Sequence, residues 1–539
     1  MIEFLSFVAF SVAVGLISYW ATRNEDMTSS DGYYLGGRSL NGWVIAGSLV
    51  MTNLSTEHLI GLNGDAYRHT ISVMAWETTS AIAMVIMALY FLPLYLRRGL
   101  TTIPQFLEDR YDQTTQLITS ILLLLSYAVA ILPIVLLLGA SGLEELFSVS
   151  TSWGIQRETA TWLLVWGVGT LGSVYAIFGG LKAVAVSDTI NGVGFLIVGL
   201  LIPYLALSSI GDGNVVAGFD EVYQNNRKKF DITGDEPNSF LPFEVLFTGM
   251  IVNQLFFWCT NQSIVQRTFG AKSLAEGQKG VFIAAFFKLL GPLIVVFPGV
   301  IAFHLFSAEL GEAGAQLAYP RLVKHVMPPV LTGFVAAVMV GAVLTTFNSV
   351  LNSAATLFSL NVYRPLFHLD ANERHLVRVG VLASIVLAIA TMTAAPLIDT
   401  SGSLYERLQQ INATFFGPML AVILLGLFTR WATPLAAKLA LILGPLAFYA
   451  VVFAWNEPVQ SFLSVSLGLA SDVHFLHFLA AVFLATVLGM AVVSAVAPAK
   501  CVMEALATEP VNMQPWRFAK PVGILLVLAT LGCYIALAQ

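Results

Sequence analysis

The sequence predicts an all-α integral membrane protein of about fourteen transmembrane helices, and three observations predict it. Of 539 residues, 57% are hydrophobic and only 11% charged, which is far from the balance of a soluble domain. Apolar runs of about 20 residues, each able to cross a hydrocarbon core of about 30 Å as a helix, recur along the whole length. Polar clusters interrupt several of these runs, and polar groups at membrane depth need partners, so they mark the path of a solute or ion.

The runs cover roughly 2–21, 42–63, 72–96, 115–147, 159–178, 185–209, 241–265, 278–306, 330–361, 376–397, 404–429, 432–455, 475–498 and 519–537. The first lacks the basic leader of a secretory signal and has no convincing cleavage site before Thr22-Arg23-Asn24-Glu25, so it reads as a retained helix. Basic residues accumulate in cytoplasmic loops. With the N-terminus outside, 17 of the 26 lysines and arginines fall on the inward side, among them Arg267 and Lys500, and 7 on the outward side. The other two, Lys288 and Arg407, lie within runs, which makes Arg407 the one arginine expected inside the membrane. Both termini are therefore expected outside. Between runs there are only short loops, an outward one near 210–240 and another near 307–328, so no room remains for an enzyme domain. The net charge of −6 and the scattered basic residues exclude a nucleic-acid partner, and no obligate protein partner is evident. Cys259, Cys501 and Cys533 have no metal-ligand spacing and read as isolated thiols.

The second run carries Met51-Thr52-Asn53-Leu54-Ser55-Thr56-Glu57-His58, followed by Gly61 and Gly64. Such a helix can break, and carbonyls freed at mid-membrane are ligands for a hard cation such as Na⁺. Trp76-Glu77-Thr78-Thr79-Ser80 in the third run sets a carboxylate and hydroxyls beside an aromatic ring, the surfaces that a sugar recognises. Asp188 and Asn191 share a face at i, i+3 in the sixth. The seventh holds Asn253, Gln254, Phe256, Phe257, Trp258 and Asn261, and the eighth a lone Lys288 that requires a partner. Thr345, Asn348 and Ser349 share a face of the ninth at i, i+3 and i+4. Gln409, Gln410, Asn412 and Thr414 precede Gly417-Pro418 in the eleventh, another polar helix that can break.

The chain resembles the solute:sodium symporter family, and within it the sodium/sugar cotransporters, from about residue 30 to 430. The carriers are GGRSL at 36–40, SLVMTNLSTEHLIG at 48–61, WETTS at 76–80, FGGLKAV at 178–184, NQSIVQRTFGAKS at 261–273 and LNSAAT at 351–356. The resemblance implies a 5+5 inverted-repeat, LeuT-like core with discontinuous helices. Residues 1–41 would be an extra helix and inward loop, 42–210 the first repeat, 211–240 an outward loop, 241–430 the second repeat, and 431–539 three added helices. It further implies a Na⁺ site on the carbonyls of Met51, Leu54 and Ala342 and the hydroxyls of Thr345 and Thr346. A second site would use Asp188, Thr345, Asn348 and Ser349, with Asn348 standing where a serine is expected. Sugar-binding positions map to Asn53, His58, Glu77, Ser80, Gln254, Lys288 and Gln410, under gates at Trp76 and Phe257. Phe257 replaces a gating tyrosine and loses its hydroxyl.

These expectations describe a Na⁺-driven importer of a hexose in a plasma membrane, here a bacterial inner membrane, acting by alternating access and without covalent chemistry. The lipid bilayer, Na⁺ and a small neutral sugar or polyol would be its partners. Another family solute, such as sialic acid, inositol, an amino acid or a carboxylate, is the competing substrate. A solute sensor that binds without transport is the reading from another class.

Overall fold

The computed structural model describes residues 2–23, 28–233, 240–312, 314–467, 472–499 and 510–537. Helices account for its regular structure, and among the described residues extended pairing is limited to two isolated bridges, Leu40 with Ala271 and Ser273 with Asn512. Cys501 and Lys500 lie outside the described residues.

Ten helical spans among the described residues are long and apolar enough to cross a membrane. The other four expected runs are also helical. Run 2–21 is the helix Ile2–Thr22. Run 159–178 is the first part of Arg157–Ile210, which changes direction at Gly180, where φ 56 and ψ −171 are open to glycine alone. Runs 42–63 and 241–265 are each broken at mid-course.

Burial separates a core from a periphery. The span Leu331–Phe367 is 89% buried at its most apolar stretch, against 22% for Phe475–Val496 and 17% for Ala519–Leu537, so the last two present their surface to lipid. The polar central helices are enclosed by these apolar ones, as polar groups in a bilayer demand.

The first break is built by its own hydrogen bonds. Asn41 caps Gly42–Asn53 by accepting from the amides of Trp43 and Val44, both at 3.1 Å. At the other end Leu54 leaves helical geometry with ψ 85, and Ser55 N turns back to Asn53 O at 3.0 Å. Ser55 N thus does not reach Met51 O, its regular helical acceptor. His58 N likewise takes Ser55 O at 3.1 Å and passes over Leu54 O. The chain then resumes through a wide turn, Glu57–Leu62, into Asn63–Arg68. In the second break Asn261 Oδ1 accepts from Ser263 N at 3.2 Å and from Tyr127 Oη at 2.8 Å, and thereby starts Gln262–Phe269.

Two arginines depart from expectation. Arg267 is not in a loop: it is fully buried in Gln262–Phe269, because the short helix after the break is packed on every side. Arg407 instead lies at the rim, where its guanidinium donates to the carbonyls of Asp399 and Ser401 at 2.6 and 3.1 Å. The end of a helix, not its middle, accommodates that charge.

The loop lysine Lys229 closes the end of Asn63–Arg68. Its Nζ donates to the carbonyls of Tyr67 and Arg68 at 2.7 and 3.0 Å and sits 4.0 Å from the centre of the Phe303 ring. Burial lowers its pKa from 10.5 to about 8. The unfolded chain then binds more protons than the folded one between those values, so stability should rise with pH from about 8 to 10.5 and hold above that. Thermal unfolding across that range should show the rise in the wild type and lose it in Lys229→Met.

Candidate functional site

The two broken helices meet five other helical spans around a central cavity of about 600 Å³, counting the part open to solvent. Asn53, Glu57 and His58 enter it from the first break. Asn253, Gln254, Phe257 and Trp258 come from the helix before the second break, and Trp76, Lys288 and Thr346 from other elements. One face of Leu404–Phe428 supplies Tyr405, Leu408, Gln409 and Asn412.

Lys288 finds the partners that the sequence requires of it. Its Nζ donates to Glu77 Oε2 and to Asn53 Oδ1, both at 2.5 Å, with Glu77 fully buried behind it. His58 Nε2 stands 3.3 Å from Glu77 Oε1, which brings the second and third runs together at one carboxylate. Gly291 makes this possible, since a Cβ there would lie 2.6 Å from Glu77 Oε2. Charge-assisted bonds of this kind are short and hold their groups in place. Aromatic rings form the cover: His58 and Trp76 each meet Tyr405 edge-on, at 5.3 and 5.9 Å between centroids.

Several polar atoms in this wall are buried with no hydrogen-bond partner, namely Glu57 Oε2, His58 Nδ1, Glu77 Oε1 and Asn253 Oδ1. Unsatisfied groups at one place are costly, and a ligand rich in hydroxyls supplies what they lack. Gln254 is partly committed already, as its Nε2 donates to Trp76 O at 2.8 Å and Thr79 Oγ1 at 3.1 Å. It thereby positions the Trp76 backbone at the edge of the cavity.

Two expected sugar positions lie elsewhere. Ser80 Oγ donates to the carbonyl of Glu77 in its own helix, the usual use of a membrane serine. Gln410 Nε2 donates to Glu406 Oε1 at 3.0 Å, while its neighbour Gln409 faces the cavity. Successive helical residues point about 100° apart, so only one of the two amides can face inward. Tyr405 was absent from the expected set, yet its spacing to Leu408, Gln409 and Asn412, at i+3, i+4 and i+7, is the face signal that would have found it.

Beside the first break, oxygen atoms converge. Thr345 Oγ1 lies 3.0 Å from Met51 O and 2.9 Å from Ala342 O, and Thr346 Oγ1 lies 3.3 Å from Met51 O and 3.0 Å from Thr52 O. The turned-back amides leave the carbonyls of Met51 and Leu54 without their regular backbone donors, and Met51 O accepts from the two threonine hydroxyls instead. An uncharged set of carbonyls and hydroxyls fits a monovalent hard cation that must also be released. The expected second set is more occupied. Asp188 Oδ2 accepts from Ser48 Oγ at 2.7 Å, and Ser349 Oγ pairs with Thr52 Oγ1 at 2.9 Å. Asp188 Oδ1 and Asn348 Oδ1 remain unpaired, with Asn348 facing a separate cavity beside Phe10 and Asn191.

The model of the sodium:solute symporter family matches residues 33–444. The chain belongs to that family. It is thus a sodium-coupled carrier and not an enzyme, and a multi-pass membrane protein. It is 42% identical to an uncharacterized symporter, YidK, of Escherichia coli (strain K12), over 100% of this chain and 91% of the relative. It is 33% identical to the sodium/glucose cotransporter of Vibrio parahaemolyticus, over 84% of this chain and 85% of that one. Among solved structures, a Na⁺-coupled sialic acid symporter in a substrate-bound outward-open state superposes with a TM-score of 0.78 at 19% identity, covering 93% of this chain and 99% of that one. That likeness shows that the two chains share a fold.

Proposed function

We propose that this symporter imports a hexose or a similar neutral polyol, driven by an inward Na⁺ gradient. The observation that carries the reading is the central wall itself. Lys288, Asn53 and Glu77 form one bonded array that His58 approaches, unpaired oxygens and a nitrogen point from this wall, and Trp76 and Tyr405 cover it. Sugars need this combination, since their hydroxyls take paired donors and acceptors and their C–H faces pack on rings. No guanidinium among the described residues lines the cavity, which disfavours sialic acid or another carboxylate. The Vibrio relative, a sodium/glucose cotransporter, supports the same assignment.

In this reading Met51, Leu54, Ala342, Thr345 and Thr346 hold the driving Na⁺, with Trp76 and Phe257 as gates. The four other helical runs cross the membrane with the ten spans named above, giving fourteen, and 42–210 and 241–430 are the inverted repeats. Both termini face outward, in a bacterial inner membrane. Na⁺ at the break orders the helix that carries Asn53 and His58, so ion and solute bind as linked ligands.

The test is uptake of labelled hexose by proteoliposomes under an imposed Na⁺ gradient, followed by competition with inositol, sialic acid and amino acids. Uptake should collapse when K⁺ replaces Na⁺. Hexose uptake indifferent to the gradient, or displaced best by a charged competitor, refutes the assignment. Saturable hexose binding without any flux would point to a sensor.

A further inference from the structure

Glu57 is the carboxylate that the ion-pair array leaves over. Glu77 is held by Lys288 at 2.5 Å and approached by His58 at 3.3 Å. Among the described residues, the one basic group within salt-bridge reach of Glu57 is His58 Nδ1, 3.7 Å from its Oε1. Its other oxygen, Oε2, is buried with no hydrogen bond, and the residue faces the cavity at 5% exposure. By formal charge, with both carboxylates ionised and the imidazole neutral, one lysine faces two glutamates, and the wall then carries a single net negative charge. A buried carboxylate in that position costs several kcal/mol unless a cation offsets it.

The adjoining ion ligands have the opposite imbalance. Carbonyls and threonine hydroxyls carry no formal charge, so Na⁺ among them brings a whole positive charge that its ligands do not neutralise. Thr346 belongs to that set and lines the same cavity as Glu57, and Leu54 precedes Glu57 by three residues on the broken helix. Opposite charges sharing a cavity inside a low-dielectric core attract strongly through space.

We propose that Glu57 is the counter-charge of the transported Na⁺, a positioning residue that raises Na⁺ affinity without ligating the ion. The inference rests on the symporter reading of the previous section and extends it to the solute. With Na⁺ in place the wall is neutral, and Glu57 Oε2 can accept a hydroxyl from an uncharged solute. A cationic solute would instead compete with Na⁺ for the same charge. Coupling between ion and solute then has an electrostatic part, and it is reciprocal.

The test is Na⁺ binding to purified protein in the absence of solute, read as the Na⁺ concentration that half-saturates thermal stabilisation. Glu57→Gln removes the charge and keeps the shape, and should raise that concentration about tenfold, inside the range of roughly 5- to 150-fold usual for coupled sites. Glu57→Ala should give the same shift and serves if the glutamine variant does not fold. Glu57→Asp, which restores the charge, should return close to wild type. Unchanged Na⁺ affinity in the neutral variants, with solute binding lost, would overturn the proposal and leave Glu57 a solute contact alone. A wild-type protein that Na⁺ does not stabilise at all would refute the symporter reading instead, and the two failures are distinct.

Discussion

Lys288→Met abolishes solute uptake and lowers stability by about 3–5 kcal/mol, the cost of leaving one member of a buried ion pair without its partner. The lysine is bound on two sides, to Glu77 from the third run and to Asn53 from the first break. Its loss leaves the fully buried Glu77 carboxylate with His58 alone, at 3.3 Å. Adding Glu77→Gln to Lys288→Met removes the stranded charge. The double variant should therefore recover most of the lost thermal stability while uptake stays absent, because the donors and acceptors that address the solute are gone. Thermal unfolding of the two variants beside hexose flux separates the two roles. If the single variant keeps its stability, the pair is not the electrostatic anchor of the site.

Thr345→Ala should weaken Na⁺ binding roughly ten- to hundredfold, with solute affinity at saturating Na⁺ much less affected. The hydroxyl lies 3.0 Å from Met51 O and 2.9 Å from Ala342 O, where it joins the broken helix to its neighbour. Removing one hydrogen-bonding group from a charged partner costs about 1.5–3 kcal/mol, and each 1.4 kcal/mol is about a factor of ten in affinity. Thr345→Ser keeps the oxygen and loses only a methyl, so it should stay near wild type. The Na⁺ dependence of initial uptake rates reads both variants. An alanine variant with unaltered Na⁺ dependence would move the ion site away from this break.

Much of the site was legible because charge is rare in this chain. With 11% charged residues, Glu77 and Lys288 stand out inside apolar runs, and each demands a partner. Their pairing satisfies both demands at once. Amides and hydroxyls were harder to place, since they are common in these helices and have local alternatives. Ser80 turned to its own backbone, and of two adjacent glutamines Gln409, not Gln410, faces the cavity. Leu404–Phe428 is buried on more than one face, which blurs the periodicity that would have told them apart. Arg267 misled for a related reason: in sequence it follows a run and precedes Lys272, like a loop arginine. Only the second break makes Gln262–Phe269 a buried helix of its own.

By itself the sequence determined that the chain is a helical membrane protein, that its second run can break, and that polar groups at that depth are the candidates for a solute or ion path. The reason is the bilayer, which leaves backbone and charged groups so few solutions that composition and spacing suffice. Which carboxylate pairs with Lys288, which stays outside that pair as Glu57 does, and which amide of each helix faces the cavity were decided only by the tertiary structure. Those choices depend on helix rotation and on contacts between residues more than two hundred positions apart, such as Asn53 and Lys288, and local sequence places no constraint on either.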